Sequence, residues 1–141
     1  MFIRHLNIND YQQYTRLINT NITEPEYVNF ITNNLSDNHI IIVIEVNGII
    51  IGTGTLVIEA KMTNNICFLG HIENIYIDEK NRNKNYGKNI IKFLIDYATQ
   101  FGCYRIDLLC IDELCDYYGK FGFHKLNGMR MLIEQNYKSI I

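Results

Sequence analysis

Two different periodicities meet in residues 70–101, and this segment constrains the fold more than any other. Its first part alternates as a strand does, with His71, Glu73, Ile75 and Ile77 on one predicted face and Ile72, Asn74 and Tyr76 on the other. Its last part has the spacing of an amphipathic helix, with apolar residues at Ile90, Leu94, Tyr97 and Phe101. Gly102 follows where a left-handed helix stop is expected. The segment therefore predicts a strand, a loop and a helix in succession.

The loop between the predicted strand and helix, residues 78–88, is polar and carries four positive charges. Free backbone amides at the start of a helix, together with the positive end of the helix dipole, hold an anion without special side chains. A strand, a basic loop containing Gly87 and a helix are therefore typical of a site for a phosphate-bearing ligand. On these residues alone a solvated surface loop explains the pattern as well, and that alternative stays open.

Size and composition limit the class of protein. A chain of 141 residues, 48% of them hydrophobic, is predicted to fold as one domain, residues 1–141, around a substantial core. The net charge of −2 gives no general basic field, so we expect no nucleic-acid partner. The longest apolar runs are far shorter than a membrane span, and the first residues do not resemble a secretory signal. We therefore expect no membrane partner either.

The chain has four cysteines, Cys67, Cys103, Cys110 and Cys115. They contain no Cys-x-x-Cys spacing, and no histidine lies at zinc-ligand spacing from a pair of them. Cys103 and Cys110 fall in an apolar strand-like run, where a free cysteine behaves as a small hydrophobe. We therefore expect no metal, reduced thiols and a cytoplasmic location. A catalytic cysteine is the less favoured alternative.

The remaining signals give the element order β-α-α-β-β-β-α-β-α-β-β, which is a mixed α/β (α+β) layer fold. Thr23 and Glu26 form a predicted capping box for the second helix, and Asn9 or Asp10 is the predicted cap of the first helix, which is expected to run to about Ile18. The other predicted strands are 2–6, 39–46, 49–59 and 104–111, and a short helix is predicted over 112–118. Hairpins are predicted at Asn47-Gly48 and at Asn127-Gly128, the latter between strands Phe123–Leu126 and Met129–Leu132. Gly52 and Gly54 predict a bulge or a close backbone approach.

Residues 82–87, Arg-Asn-Lys-Asn-Tyr-Gly, resemble the pyrophosphate loop of the Gcn5-related N-acetyltransferases, Arg/Gln-x-x-Gly-x-Gly/Ala. They lie between a predicted strand and helix, as that family requires, and residues 103–106 and 117–123 follow at the family's spacing. Within the family, residues 70–75, 102–106 and 121–123 are similar to the branch that acetylates the amine of glucosamine 6-phosphate. The resemblance implies the family's acyl-CoA N-acyltransferase (GNAT) fold, a mixed central sheet flanked by helices.

The resemblance also implies acetyl-CoA as the acetyl donor. In the family, backbone amides of the loop hold the pyrophosphate, and the pantetheine arm lies against the central strand. The residues that this assigns to acetyl-CoA are Ile75, Tyr76, Ile77, Arg82, Asn83, Lys84, Asn85, Tyr86, Gly87 and Lys88. Asn85 stands where the family often has a glycine, and asparagine tolerates a left-handed backbone better than most residues. Lys84 and Lys88 would add charge-assisted contacts to phosphates.

For the chemistry, the resemblance implies Tyr118 as the acid toward the departing thiolate. Glu73 is the group expected to receive the amine proton, directly or through water. A carboxylate on an apolar strand is costly, which marks Glu73 as functional without the resemblance. The residues expected at the acceptor amine or its phosphate are Lys61, Glu73, Asn74, Tyr104, Arg105 and Asp107. The resemblance further implies a homodimer in which Tyr104 and Arg105 reach the substrate of the neighbouring subunit.

The chain departs from this branch of the family at two positions. Leu109 stands where relatives carry an acid that contacts the amine, so either Asp107 substitutes for it or Glu73 acts alone. Glu134 stands where the branch has a C-terminal substrate arginine, with Arg130 nearby. Both departures concern the acceptor rather than the acetyl donor.

Three functions are consistent with these residues. The first is transfer of the acetyl group to glucosamine 6-phosphate, giving N-acetylglucosamine 6-phosphate for UDP-GlcNAc biosynthesis. The second is the same chemistry on a protein lysine or N-terminus, a polyamine or an antibiotic; an acidic groove would favour a polyamine or lysine, whereas Lys61 and Arg105 favour an anionic acceptor. The third is a non-catalytic acyl-CoA-binding module, with Leu109 and Asn85 as marks of decay. Tyr118 and Glu73 argue against the third.

Overall fold

The computed structural model describes residues 1–133. Their contacts group into two compact units, of which the first is residues 1–108 and the second begins at Leu109. The prediction of a single domain over residues 1–141 stays a prediction. None of the helices in the described chain is long and apolar enough to cross a membrane.

The first unit is built on a five-stranded sheet whose strands follow chain order, β1-β2-β3-β4-β5. The elements are β1 (Phe2–His5), α1 (Tyr11–Leu17), α2 (Glu24–Asn34), β2 (His39–Val46), β3 (Ile49–Lys61), β4 (Cys67–Ile77), α3 (Tyr86–Phe101) and β5 (Cys103–Asp107). The first four strands are antiparallel neighbours, whereas β5 is parallel to β4. A parallel pair needs a crossover, and α3 supplies it. This mixed sheet with helices confirms the predicted fold class.

Helix α3 covers one face of the sheet. Its fully buried side chains are Ile90, Ile91, Leu94 and Ala98. The predicted stripe is confirmed at Ile90 and Leu94, but Tyr97 and Phe101 are only half-buried. The Tyr97 hydroxyl donates to the Asp37 carbonyl at 2.9 Å, which holds this ring at the edge of the helix. Ala98, and not the neighbouring Tyr97, is therefore the fully buried residue in this turn of the helix.

Two glycines of β3 allow α3 to lie close to the sheet. A Cβ on Gly52 would lie 2.5 Å from Ile77 Cδ1, and one on Gly54 would lie 2.6 Å from Ile90 Cγ2. The strand register also shifts at both places, between Ile44 and Glu45 on β2 and between Thr53 and Thr55 on β3. The predicted close approach and bulges are confirmed.

Helices α1 and α2 cover the opposite face. The cluster beneath them consists of Leu6, Tyr14, Tyr27, Ile41, Val43 and Ile50. The predicted capping box at Thr23 and Glu26 is confirmed as the start of α2. Helix α1 begins at Tyr11 with Asp10 at its N-cap position, as predicted, although the Asp10 side chain makes no capping bond to α1. That side chain instead completes a second, unpredicted capping box with Asn7 around a 3-10 turn.

The second unit contains a 3-10 turn, Asp112–Leu114, and the short helix α4, Cys115–Gly119. Two sequence predictions are wrong here. The strand predicted over residues 104–111 ends at Asp107, and no strand forms within 123–133, so the hairpin predicted at Asn127-Gly128 is not formed in the described residues. An Asn-Gly pair specifies only a turn, and a two-stranded hairpin without further pairing is marginally stable.

Candidate active site

A bulge in the central strand β4 decides where the candidate residues point. Thr55 of β3 lies opposite Glu73 and Thr53 lies opposite Tyr76, so two residues of β4, Asn74 and Ile75, are opposed by Gly54 alone. Asn74 has φ of +53°, a left-handed conformation that asparagine adopts more readily than most residues. One inserted residue reverses the alternation of side chains beyond it.

The bulge makes one sequence prediction wrong, namely that His71, Glu73, Ile75 and Ile77 share a face. Ile75 and Ile77 face α3, since their Cδ1 atoms are among the nearest neighbours of a Cβ placed on Gly54 or Gly52. Glu73 lies directly across from Thr55, on the opposite face, and its side chain is exposed. The carboxylate therefore belongs to a different face from the apolar residues that follow it.

The loop between β4 and α3 is fastened to the end of β4. The Arg82 Nε donates to the Ile77 carbonyl at 3.1 Å, and its guanidinium lies 5.6 Å from the centre of the Tyr76 ring. Asn83 and Asn85 both have left-handed backbones, with φ of +63° and +66°. The prediction that Asn85 takes the conformation of a glycine is confirmed, and Asn83 does the same without having been predicted to.

The start of α3 leaves backbone amides without a cap. Asn85 is the N-cap and makes no side-chain capping bond, and the first helical bond runs from Asn89 N to Asn85 O at 3.1 Å. The amides of Tyr86, Gly87 and Lys88 therefore precede the first helical acceptor. Helix α2, in contrast, closes its first turn with Thr23. An uncapped helix start of this kind can hold a phosphate oxygen.

Lysines flank this helix start. Lys84 and Lys88 are exposed, and within residues 1–133 neither forms an ion pair with a carboxylate. Both are thus available to an anion held by the amides of α3. The loop residues predicted to contact acetyl-CoA lie together because they are consecutive, with 82–85 in the loop and 86–88 in the first turn of α3.

A group of charged side chains, which we call the charged face, lies across β3, β4 and β5 and consists of Glu59, Lys61, His71, Arg105 and Asp107. His71 Nε2 lies 3.1 Å from Glu59 Oε1, and Lys61 Nζ lies 4.0 Å from Glu59 Oε2. Arg105 Nε lies 3.3 Å from Asp107 Oδ2, and Asp107 is in register with His71. The hydrogen bond from His71 lowers the pKa of Glu59; desolvation opposes this effect, and the charges of Lys61 and Arg105 add to it.

The charged face contains three of the predicted acceptor residues and two that sequence reasoning missed. Lys61, Arg105 and Asp107 were predicted; Glu59 and His71 were not. The amino-acid sequence contains only a weak indication of these two residues. Glu59 lies two residues before Lys61 on β3, but no nearby residue indicates that His71 of the next strand contacts Glu59. Glu73 follows His71 by two residues on the same face, about 7 Å along the strand. Tyr104 touches the group through Arg105, whose Nη1 donates to the Tyr104 hydroxyl at 2.6 Å.

Tyr118 lies on α4 in the second unit and is half-buried. Its ring makes edge contacts with Tyr117 at 5.3 Å and with Phe123 at 6.1 Å between ring centres. Burial raises the pKa of Tyr118, and the neighbouring Tyr117 and Cys110 raise it further. The phenol is therefore protonated at neutral pH, the state that a proton donor needs. Its role in catalysis stays a prediction.

Two other predicted positions belong to the second unit or beyond. Leu109 is 65% exposed and presents no acid at the position where one was expected from the family. Glu134 lies outside the described residues. Among residues 1–133, no three histidine, cysteine or acidic side chains are grouped so as to hold a metal ion.

Comparison with known proteins identifies the family. The model of the Acetyltransferase (GNAT) family matches residues 4–123. A curated relative, glucosamine 6-phosphate N-acetyltransferase of Arabidopsis thaliana, is 40% identical over 88 residues, which span 61% of this chain and 59% of that protein. The chain thus spans under two thirds of the length of this relative.

Solved structures agree with this assignment. The crystal structure of glucosamine-6-phosphate N-acetyltransferase from Arabidopsis thaliana superposes with a TM-score of 0.89 at 31% identity, covering 94% of this chain and 98% of that one. A structure from Clostridium acetobutylicum, described as a predicted acetyltransferase with acetyl-CoA, has a TM-score of 0.70 at 21% identity, covering 93% and 94%, and supports the fold alone. The chain belongs to the acetyltransferase (GNAT) family.

Proposed function

We propose that the chain is an N-acetyltransferase that moves the acetyl group of acetyl-CoA to the amine of glucosamine 6-phosphate, giving N-acetylglucosamine 6-phosphate. The observation that carries the proposal is the uncapped start of α3 beside the end of the bulged strand β4. The relatives named for this activity support the choice of acceptor. Such a step supplies UDP-GlcNAc biosynthesis, and a cytoplasmic location is part of the proposal.

The donor site is formed by β4 and the loop that follows it. The amides of Asn83–Lys88 hold the pyrophosphate of acetyl-CoA, with Lys84 and Lys88 as cationic partners. The pantetheine arm lies along Ile75–Ile77. In support of this, β5 pairs with β4 only over Phe68–His71, so the rest of that edge of β4 has no strand beside it within residues 1–133. An unpaired strand edge accepts an extended ligand through backbone hydrogen bonds.

Two side chains share the proton transfers of the reaction: the carboxylate of Glu73 and the phenol of Tyr118. Glu73 takes a proton from the ammonium group of the acceptor, directly or through water, and leaves a neutral amine. The amine attacks the thioester carbonyl, the carbon–sulfur bond breaks, and the thiolate of coenzyme A takes a proton from Tyr118. Burial raises the pKa of Tyr118, so its phenol carries a proton at neutral pH and can give it to the departing thiolate.

The acceptor site uses the charged face. Lys61 and Arg105 supply positive charge for a sugar phosphate, and Glu73 with Asn74 lies beside the amine. We also propose a homodimer in which Tyr104 and Arg105 contribute to the acceptor site of the other subunit. Support comes from apolar side chains that one copy leaves in solvent in the second unit: Leu126 is 83% exposed, Met129 98% and Ile133 81%.

A specific observation favours a second acceptor class. The charged face holds as many acids as permanent cations, Glu59 and Asp107 against Lys61 and Arg105, and Glu73 adds a further acid on that side of β4. A cationic acceptor such as a polyamine or a lysine side chain would complement these acids. The two acceptor classes differ in the sign of the charge that the site must attract.

The deciding experiment measures thiol release from acetyl-CoA with glucosamine 6-phosphate, glucosamine, a polyamine and a lysine peptide. We expect release with glucosamine 6-phosphate at a kcat/KM at least about tenfold above glucosamine, because only the former carries the phosphate. Preference for the polyamine or the peptide would overturn the proposed acceptor. Binding of acetyl-CoA without release for any amine would indicate a non-catalytic module, and Gly87→Val, which adds side-chain bulk at the α3 amides, tests the donor site by calorimetry.

A further inference from the structure

Two thiols of the second unit lie close together. Cys110 Sγ and Cys115 Sγ are 3.9 Å apart, and Cys115 Sγ is also 3.9 Å from the Ile111 carbonyl. Cys110 is exposed, while Cys115 is half-buried at the first position of α4. The sequence offered no such pair, because four residues separate the two cysteines and the spacing is not that of a metal or redox motif.

The distance is short enough for covalent closure. A disulfide requires the two sulfurs to approach to about 2 Å, and side-chain rotation supplies a shift of that size when the thiols already touch. The other two thiols differ. Cys67 donates its thiol hydrogen to the Thr63 carbonyl at 3.2 Å, and Cys103 is a half-buried residue of β5 whose pKa is raised by burial.

We propose that Cys110 and Cys115 form a modification site, at which a low-molecular-weight disulfide reversibly converts the two thiols into an intramolecular disulfide. The exposed Cys110 thiolate attacks one sulfur of the reagent, forms a mixed disulfide and releases one thiol. The Cys115 thiolate then attacks the Cys110 sulfur and releases the second thiol. In sum, two protein thiols and one small disulfide give one protein disulfide and two small thiols.

The second step is fast relative to attack by other thiols because Cys115 is held next to Cys110. Positioned intramolecular groups react as if present at very high concentration. The mixed disulfide on Cys110 is therefore short-lived in the wild-type chain and accumulates only when Cys115 is missing. This difference gives the site a signature that a reactive surface cysteine lacks.

The first step depends on the thiolate of Cys110. Burial raises the pKa of Cys110, the hydrogen bond with Cys115 and the charges of Cys115 and Asp112 add to this, and Lys125 opposes it. Tyr118 is a further titratable neighbour, since its phenol interacts with the Cys110 thiol. A raised pKa leaves less thiolate at neutral pH. The rate of modification should therefore rise steeply between neutral and alkaline pH.

The site lies next to the group proposed as the catalytic acid. Tyr118 follows Cys115 by three residues on α4, one helical turn away, and it interacts with Cys110. Closing the disulfide draws the first residue of α4 toward Cys110 and changes the surroundings of the Tyr118 phenol. We expect the oxidised protein to have a lower kcat for acetyl transfer; this consequence rests on the proposed function, whereas the modification itself does not.

The test incubates the reduced, full-length protein with oxidised glutathione and follows it by mass spectrometry and thiol counting. The wild type should lose two of its four thiols, lose the mass of two hydrogen atoms and yield a cross-linked 110–115 peptide. Cys115→Ser should instead retain glutathione on Cys110. Cys67→Ser is the matched control, since a serine hydroxyl can still donate to Thr63, and it should form the cross-link as the wild type does.

A wild type that keeps four free thiols, or that carries glutathione on Cys110 as stably as Cys115→Ser does, would overturn the proposal. Activity is a separate measurement, made by loss of thioester absorbance because residual oxidant would consume a released thiol. We expect kcat to fall at least about tenfold on oxidation and to return with a reductant, but not to fall in Cys110→Ser. If the cross-link forms and no amine is acetylated in either state, the proposed function fails and the modification site stands.

Discussion

His71 Nε2 lies 3.1 Å from Glu59 Oε1 and joins the neighbouring strands β3 and β4 on the charged face. The same carboxylate lies 4.0 Å from Lys61 Nζ and is influenced by the charge of Arg105. Glu59 therefore neutralises part of the positive charge with which this face would meet an anionic acceptor. Its side chain is 50% exposed, so a substrate that approaches the face meets this charge directly.

Glu59→Gln removes that negative charge and keeps the shape of the side chain. With glucosamine 6-phosphate as acceptor, KM should fall by about two- to fivefold at low ionic strength, since Lys61 and Arg105 no longer share their charge with a carboxylate. The effect should weaken as salt is added, because exposed charges are screened. Initial rates at several salt concentrations measure both quantities.

The matched control is Asp96→Asn, which makes the same change of charge at an exposed position of α3. Helix α3 covers the other face of the sheet, so KM should stay unchanged within about 1.5-fold. A rise in KM for Glu59→Gln would mean that the acid attracts the acceptor, and the acceptor would then be cationic.

Tyr118→Phe removes only a hydroxyl from the half-buried ring. We expect kcat to fall by roughly 10- to 1000-fold while the affinity for acetyl-CoA stays nearly intact, because the proposed proton transfer from the phenol stabilises the departing thiolate and not the bound ground state. Tyr117→Phe is the control, since Tyr117 is the neighbouring half-buried phenol of α4. A Tyr118→Phe enzyme within twofold of wild type would remove Tyr118 from the mechanism.

Features governed by local chemistry were predictable from the sequence. Both residues of the Asn47-Gly48 turn lie in the left-handed region, with φ of +51° and +80°. Strand β2 ends just before this turn and β3 begins just after it. The Thr23–Glu26 capping box starts α2 where expected. Helix α3 stops at Gly102, whose φ is +99°. Each signal concerns residues adjacent in sequence, where sterics and capping bonds decide the conformation.

Features governed by strand register were not predictable. The bulge at Asn74 depends on which residue of β3 lies opposite, and alternation in β4 alone gives the wrong face for Ile75. The Glu59–His71 contact likewise depends on the pairing of β3 with β4. The Cys110–Cys115 pair is local, but it depends on the 3-10 turn between the two residues, which their spacing alone did not predict. For this reason the conformation of the loop before α3 was predicted more completely than the contacts of the charged face.

The backbone of Asn85 offers a test of the donor loop. A β-branched residue cannot adopt a φ of +66° cheaply, so Asn85→Val should lower the free energy of unfolding by about 1–2 kcal/mol and weaken acetyl-CoA binding at least about tenfold. Asn85→Gly accommodates this backbone without strain and should bind acetyl-CoA as the wild type does. Denaturant unfolding and calorimetry measure the two effects. Equal affinity of both variants would separate this backbone conformation from ligand binding.

Asp10 should make the stability of the first unit depend on acid pH. Its carboxylate accepts from Arg4 Nη1 at 2.7 Å, Arg4 Nη2 at 2.9 Å and Asn7 N at 2.9 Å. Burial alone would raise the pKa of Asp10, but these hydrogen bonds and the Arg4 charge lower it overall. Asp10→Asn should therefore cost about 2 kcal/mol of unfolding free energy at neutral pH.

The sign of the pH effect follows from that lowered pKa. The carboxylate stabilises the fold fully above its unfolded pKa of about 3.9, and this contribution disappears as the pH falls through the lower folded pKa. The difference in stability between wild type and Asp10→Asn should shrink below about pH 4. A difference that stays constant down to pH 2 would show that the charge of Asp10 does not contribute.

Two carboxylates, Glu73 and Asp107, are candidates to take the proton of the acceptor amine, because Leu109 cannot accept one. Asp107 is held by Arg105, whose Nε lies 3.3 Å away, whereas Glu73 is exposed and forms no ion pair within residues 1–133. Glu73 also lies beside the bulge at Asn74, on the part of β4 beyond His71 that β5 leaves unpaired. Glu73→Gln should therefore lower kcat/KM by about two orders of magnitude, because a neutral amide cannot accept the proton.

Asp107→Asn provides the comparison. It should lower kcat/KM by no more than about threefold, because the Asp107 carboxylate is already paired with Arg105. The reverse pattern would assign the proton transfer to Asp107. A small loss in both variants would mean that the amine arrives neutral from solution, and the rate should then rise with pH up to the pKa of the free amine. The pH profiles of the two variants separate these cases, because only a carboxylate that takes the proton removes the acid limb of the profile when it is replaced.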